Sequence, residues 1–253
     1  MFAFIGDIHG NFENLHRFTK ACKNDFPDLK YLLVGGDLAR KPSWSEDWVQ
    51  AKTNSMVEAA QILSSFDLKV FFIPGNDDIE DPFPDFSRLE NVVCLRNEVV
   101  EVEPGIGLLG FSYAPPTPFF TRYERDEKTI RETLEPLFRQ LEAFRFRIVM
   151  CHAPPYGTNL DLSKDWYIKN HQVQREILRH VGCRSIHKLV SRYQPNVGLF
   201  GHVHESAGIC RIGRTLCVNP GAFDKQVNGC VFGPSWFHGI GEVSTCSSLE
   251  SLV

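Results

Sequence analysis

The amino-acid sequence predicts an α/β fold wound from β-α-β units, and three observations predict it. Short apolar runs of strand type alternate with stretches of helical period through the first 76 residues. Each of the first three runs is closed by glycine or by Pro-Gly, at Gly6, Gly35-Gly36 and Pro74-Gly75, the punctuation expected where short strands feed connections to helices. The turns after those runs also carry Asp, Asn or His, which an α/β sheet gathers at the carboxyl ends of its strands.

Taken in order, Phe2–Ile5 reads as a first buried strand, and Phe12, Leu15, Phe18 and Cys22 then recur at helical spacing. Tyr31–Val34 is a second strand. Ser43 with Glu46 three residues on has the form of a capping box, and Trp48, Ala51, Met56, Ala59, Ile62, Leu63 and Phe66 form a broad apolar stripe beyond it. Val70–Ile73 closes this wound half as a third strand. Segments 91–95, 98–102 and 106–112, broken by Asn97, Pro104 and Gly105, suggest an antiparallel meander. Ile130, Leu134, Leu137, Phe138 and Leu141 mark helix over 126–142, which Pro136 would kink or divide. Phe146–Cys151 is a strand. Ile186, Leu189, Val190 and Tyr193 mark a helix ending near Pro195, followed by a strand at Val197–Phe200. A hairpin turns at Gly213-Arg214, and further short strands fill the tail.

Composition narrows the classes. A chain of 253 residues with 43% apolar and 23% charged side chains can bury one large core, so a single domain over 1–253 is expected. A formal net charge of −4 speaks against a generally basic nucleic-acid binder or a polybasic membrane-surface protein. Met1-Phe2-Ala3-Phe4-Ile5 shows no signal-peptide pattern, and no apolar run approaches the roughly 18 residues of a membrane span. A cytoplasmic protein is expected. The eight cysteines include no C-x-x-C pair and sit mostly in apolar runs, which suits packed thiols better than disulfides or zinc.

The chemistry stands at the strand ends. The first strand is followed by Gly6-Asp7-Ile8-His9-Gly10-Asn11, the second by Gly35-Gly36-Asp37 and the third by Pro74-Gly75-Asn76-Asp77-Asp78. Cys151-His152 and Gly201-His202-Val203-His204 end two later ones. Any one piece admits a plain structural reading, since glycines turn, Asp and Asn cap, and histidines hydrogen-bond in cores. An Asp-x-His triplet is expected by chance about half a time in such a chain, but Gly-His-x-His only about 0.02 times. Five such pieces, each directly after a strand, point to one convergent site.

Carboxylates and imidazoles crowded into a cleft destabilise the fold unless something compensates them. A divalent metal compensates, and this mixed donor set suits manganese, iron, zinc, nickel or cobalt better than calcium or magnesium. Seven donors exceed one four-coordinate site. They suit two ions about 3.5–4 Å apart that share a carboxylate, as in phosphoryl transfer.

The order Asp-x-His, Gly-Asp, Gly-Asn, His, Gly-His-x-His resembles the calcineurin-like metallophosphoesterase superfamily over residues 6–204. Residues 152–161 (HAPPYGTNLD), His180-Val181-Gly182, 204–208 and Asn219-Pro220-Gly221 are similar to a branch of predicted phosphoesterases within it. The resemblance implies a β-sandwich flanked by helices, with metals at the carboxyl ends of the strands. It implies Asp7, His9 and His204 on one ion, Asn76, His152 and His202 on the other, and Asp37 bridging. A small phosphoester substrate is then expected, with Asn76 helping to hold the phosphate and Gly10-Asn11 opening a helix whose positive end faces it.

Two positions depart from the superfamily pattern. Asp77 stands where a leaving-group histidine is usual, and Arg40 where an acidic or amide residue often lies three places after the bridging Asp. An Asp beside two dications is held ionised and is a poor proton donor, so His180 or His171 is the candidate substitute acid. The reading is therefore a dinuclear metal-dependent phosphoesterase that attacks phosphorus with metal-activated hydroxide, diesters being favoured over monoesters. The alternative is a binding or scaffold protein of the same fold with little turnover. A nuclease is disfavoured by the acidic charge.

Overall fold

The structure, a computed structural model, describes residues 1–80, 83–169, 172–223 and 227–243. Its first half is wound as expected through β1 (Phe2–Ile5), α1 (Phe12–Asp25), β2 (Tyr31–Val34), α2 (Trp48–Ser64) and β3 (Lys69–Phe72), and β4 (Val92–Cys94) extends it. Strands β1 to β4 pair in parallel. The chain then builds a second sheet from β5 (Glu98–Glu103), β6 (Ile106–Phe111), β7 (Phe146–Cys151), β10 (Val197–Leu199), β11 (Gly208–Ile212) and β12 (Thr215–Asn219). In it β6, β7, β10 and β12 are parallel, with antiparallel β5 and β11 at the edges. Helices α3 (Glu127–Leu141) and α4 (Arg184–Tyr193) belong to this half. Finally β13 (Gly229–Gly233) and β14 (Trp236–Ile240) return to the first sheet beside β1.

Side-chain alternation explains the layering. Phe2 and Phe4 of β1, Leu33 of β2, and Ile148 and Met150 of β7 fill the core between the two sheets. Ala3, Ile5, Leu32 and Val34 face the other way, under Leu15 and Phe18 of α1 and Met56, Ala59 and Leu63 of α2. Val149 and Cys151 pack on Ile130, Leu134 and Phe138 of α3 and on Ile186 and Leu189 of α4. Each fully buried Phe, Leu or Ile here contributes about 1.5–3 kcal/mol. The result is a β-sandwich with helices on both outer faces, as the resemblance implied. No described helix is long and apolar enough to cross a membrane.

Three local expectations are corrected. The 91–112 region is not one meander: β4 pairs with β3 in the first sheet, and only β5 and β6 form a hairpin, in the second. Helix α3 runs through Pro136 unbroken. The proline lies on the exposed face, where water can meet the carbonyl it leaves unbonded, while the apolar stripe opposite holds both halves. Ser43 and Glu46 do bond each other, Ser43 N–H to Glu46 Oε2 at 2.7 Å, but they form a separate turn. The cap of α2 is Asp47, whose Oδ1 accepts from Gln50 N–H at 2.9 Å. In addition, β8 (Leu162–Lys169) and β9 (Gln172–His180) make an antiparallel hairpin that no clear strand pattern in the sequence announces.

Candidate metal centre

The carboxyl ends of β1, β2 and β3 in one sheet meet those of β7 and β10 in the other. Backbone bonds zip the loops together in pairs. Asp7 N–H donates to Gly36 O at 3.1 Å, and His9 N–H to Asp37 O at 2.8 Å. Gly201 N–H donates to His152 O at 2.9 Å. The two sheets are joined where His202 N–H meets the Asp7 carboxylate at 3.0 Å. This geometry needs left-handed backbone: Asp7, His9, Asp37 and His202 have φ of 51°, 46°, 51° and 69°. Such strain in non-glycine residues persists where surrounding structure holds it, characteristically at functional sites. Two glycines permit the approach. Gly36 has φ of 102°, and a Cβ there would lie 2.7 Å from His152 Nδ1; a side chain at Gly75 would collide with the Asp37 carboxylate.

All seven expected donors are brought together, in two sets that share Asp37. In the first, ligand atoms of Asp7, His9, Asp37 and His204 lie within 4.8 Å of one another. His9 Nε2 is 3.1 Å from His204 Nε2 and 3.7 Å from Asp37 Oδ2, and His204 Nε2 is 3.4 Å from Asp7 Oδ1. In the second, Asn76 Oδ1 lies 2.8 Å from His152 Nε2 and 2.6 Å from His202 Nδ1. Asp37 Oδ2 is 3.6 Å from His152 Nε2.

The chemistry of these donors fits a cation. His152 Nδ1 donates to Gly35 O at 2.8 Å, so the neutral ring turns a lone pair inward at Nε2. Asn76 gives its amide N–H to Thr121 Oγ1 at 2.7 Å, which leaves its oxygen facing that lone pair. With Asp37 Oδ2, three acceptors face each other without a hydrogen between them, an arrangement that a positive ion relieves. His9 Nδ1 is buried without a hydrogen-bond partner among the described residues.

The remaining site residues are placed as follows. Asp77 N–H donates to Asp37 Oδ1 at 2.9 Å, but its carboxylate turns to Lys52 Nζ at 2.7 Å. Lys52 was missed. It sits on α2 with only 1% of its surface exposed, and its signal was a lysine four residues from both Trp48 and Met56 on the apolar stripe. Asp78, fully buried, accepts from Leu38, Ala39 and Gly75 N–H at 2.9–3.1 Å and ties the β2 and β3 loops together. Burial and then the nearby Asp37 charge push its carboxyl up, although those amide bonds oppose them. Gly10 and Asn11 stand at the start of α1, but their amides are already taken. Their N–H groups are bonded to Leu38 O and Ile8 O, and Asn11 Oδ1 caps α1 through Asn14 N–H at 3.1 Å. Only the helix field, not these amides, is left for a phosphate. His180 gives Nδ1 to buried Asp161 at 2.7 Å and packs 5.6 Å from the Tyr156 ring. Asp161 also accepts from Gly157, Thr158 and Gly182 N–H, so the pair braces the base of the hairpin. His171 lies outside the described residues.

Without metal the cluster is sensitive to acid. Burial raises the Asp37 carboxyl, but the charges of His152 and His9 and the Asp77 N–H overcome this and hold it well below the usual range. Asp7 is likewise lowered, its burial outweighed by the hydrogen bond and charge of His204. Burial and then the His152 charge push His202 down to about 4. His202 is thus neutral in the fold but protonated in the unfolded chain below its ordinary value of about 6.5. Its contribution to metal-free stability therefore falls as pH drops from about 6.5 to about 4. The carboxylate contributions are lost at still lower pH. Thermal unfolding of chelator-treated protein should show a loss on the order of 3 kcal/mol across the first window, and His202→Asn should flatten it.

A helix-flanked sandwich with this donor cluster at its strand ends defines a metal-dependent phosphoesterase. The chain belongs to the calcineurin-like phosphoesterase family, whose sequence model matches residues 1–206. It is similar to "Uncharacterized protein MJ1162" of Methanocaldococcus jannaschii, with 28% identity over 218 residues, 85% of either chain. A 140-residue match at 27% identity relates 55% of the chain to 41% of "UPF0046 protein K07C11.7" of Caenorhabditis elegans. Among solved structures, TT1561 of Thermus thermophilus shares the fold at a TM-score of 0.59 and 17% identity, over 88% of this chain and 89% of that one.

Proposed function

We propose that the protein is a dinuclear phosphodiesterase. The observation that carries this reading is the shared position of Asp37, 3.7 Å from His9 on one side and 3.6 Å from His152 on the other. Asp7, His9 and His204 would hold one divalent ion with it, and Asn76, His152 and His202 a second. Bound there, such ions supply a Lewis acid and a water of lowered pKa. The chain's own part is orientation. Thr121 holds the Asn76 oxygen inward, Gly35 fixes the His152 tautomer, and Asp7 anchors the His202 backbone.

Diester preference is supported by charge. A phosphomonoester at neutral pH carries nearly two negative charges and a diester one. Lys52 is paired with Asp77 at 2.7 Å beside Asn76, so its charge is already matched and is not left for the second negative charge of a monoester. The same pairing is what favours the alternative, a scaffold with little turnover, because it takes away a proton donor. Elemental analysis and a substrate panel decide between them. About two ions per chain, with activated aryl diesters hydrolysed faster than the matching monoesters, is the expected result. Two ions with no turnover on any phosphoester would establish the scaffold, and monoester preference would overturn the diester reading.

A further inference from the structure

A wall on the Asn76 side of the centre closes on itself through side-chain contacts. Asn76 bonds Thr121, whose neighbour Arg122 lies with its guanidinium 5.5 Å from the ring centre of Trp48. Trp48 in turn has Lys52 Nζ 5.9 Å from its ring centre, and Lys52 bonds Asp77, next to Asn76. Trp48 was expected within the apolar stripe of α2, yet 37% of it is exposed. Arg122 is exposed and makes no ion pair among the described residues.

The loop that completes this wall is braced and apolar at its tip. The Glu124 carboxylate accepts from Thr117 N–H and Oγ1 and from Thr121 N–H and Oγ1, at 2.5–3.1 Å. The clasp presents Phe119 and Phe120 at 80% and 89% exposure, and Phe120 is held at φ of 52°. Two phenylalanines fixed in water by four hydrogen bonds, one of them in left-handed backbone, have no packing role. A cation and aromatic rings one residue from the contact to Asn76 are complementary to an anionic phosphoester bearing a flat apolar group.

We propose that Trp48, Phe119, Phe120 and Arg122 form a specificity subsite for an aromatic ester substituent of the substrate, with Arg122 taking the anionic phosphoryl group. This deepens the phosphodiesterase reading and rests on it. The aromatic side chains of the subsite select the group that stays on phosphorus, so they change recognition and leave the bond-breaking chemistry alone.

Two measurements separate the subsite from the activity. The first is calorimetric binding of phenylphosphonate and methylphosphonate to the metal-loaded protein, which needs no turnover. The aromatic ligand should bind about 5–10-fold more tightly, and the Phe119→Ser/Phe120→Ser double variant and Trp48→Ala should each reduce that ratio. Arg122→Ala should weaken both ligands alike. The second compares p-nitrophenyl phenyl phosphate with p-nitrophenyl methyl phosphate, which share a leaving group. A lower KM for the phenyl ester, lost in the phenylalanine variant while the methyl ester is unaffected, is expected. Equal binding of the two phosphonates overturns the subsite, as does an aromatic preference that survives both substitutions. Equal loss on both esters in the phenylalanine variant also overturns it. Absence of turnover on both esters, with the binding ratio as expected, overturns the activity and leaves the subsite standing.

Discussion

Asp37→Ala is expected to lose both of the proposed metal ions and all measurable turnover, while His152→Ala is expected to empty the half of the centre it shares with Asn76 and His202. The asymmetry follows from geometry. Asp37 Oδ2 faces His9 and His152 at 3.7 and 3.6 Å, whereas the inward Nε2 of His152 meets Asn76 Oδ1 at 2.8 Å and Asp37 Oδ2 at 3.6 Å. Losing a ligand should cost more than the roughly 10–100-fold in affinity that loss of an outer-shell partner costs. Removing Asp37 also strips the carboxylate that the surrounding imidazoles hold ionised, so the metal-free fold has less to lose at low pH. Elemental analysis after gel filtration gives the occupancy, and turnover of an activated diester the activity. Either variant retaining two tightly held ions with normal turnover would show the ligand assignment to be wrong.

What was legible in the sequence divides along physical lines. The donors could be read because chemistry at a strand end interrupts the local pattern: His152 ends an apolar run, and Gly-His-x-His follows another at once. The wound half was equally open, since β1, α1, β2, α2 and β3 each carry their own period. Pairing partners are a different matter. Residues 92–94 and 98–111 carry strand propensity alike, and no local signal says that β4 joins β3 while β6, paired with β5, joins β7. The hairpin of β8 and β9 was hidden because charged residues such as Lys164, Asp165, Arg175 and Glu176 break its alternation. Lys52 was hidden for the opposite reason: a lysine on a helix reads as solvated unless its partner is known, and Asp77 is 25 residues away. The capping-box reading of Ser43 and Glu46 failed because Asp47, a better-placed acceptor, follows one residue later.

Lys52 also changes what substitution at Asp77 does. Asp77→His alone removes the counterion of an ammonium with 1% of its surface exposed, and breaking such a pair costs about 3–5 kcal/mol. The single variant should therefore melt roughly 6–20 °C lower, whatever its chemistry. Lys52→Met combined with Asp77→His removes the stranded charge and should recover most of that loss. Wild type, with Asp77 bonded to Lys52 Nζ at 2.7 Å, lacks a histidine donor at this position and should depend steeply on leaving-group acidity, activated aryl diesters far outpacing alkyl ones. The double variant places an imidazole beside Asn76, and alkyl diesters should gain up to the roughly 10²–10⁴-fold typical of general acid catalysis while activated ones change little. Melting curves and a leaving-group series on the same three proteins read both effects. An Asp77→His protein as stable as wild type would remove the structural role of the pair. A double variant that slows every ester alike would instead place Asp77 among the groups that hold metal, because a lost ligand penalises all substrates regardless of what leaves.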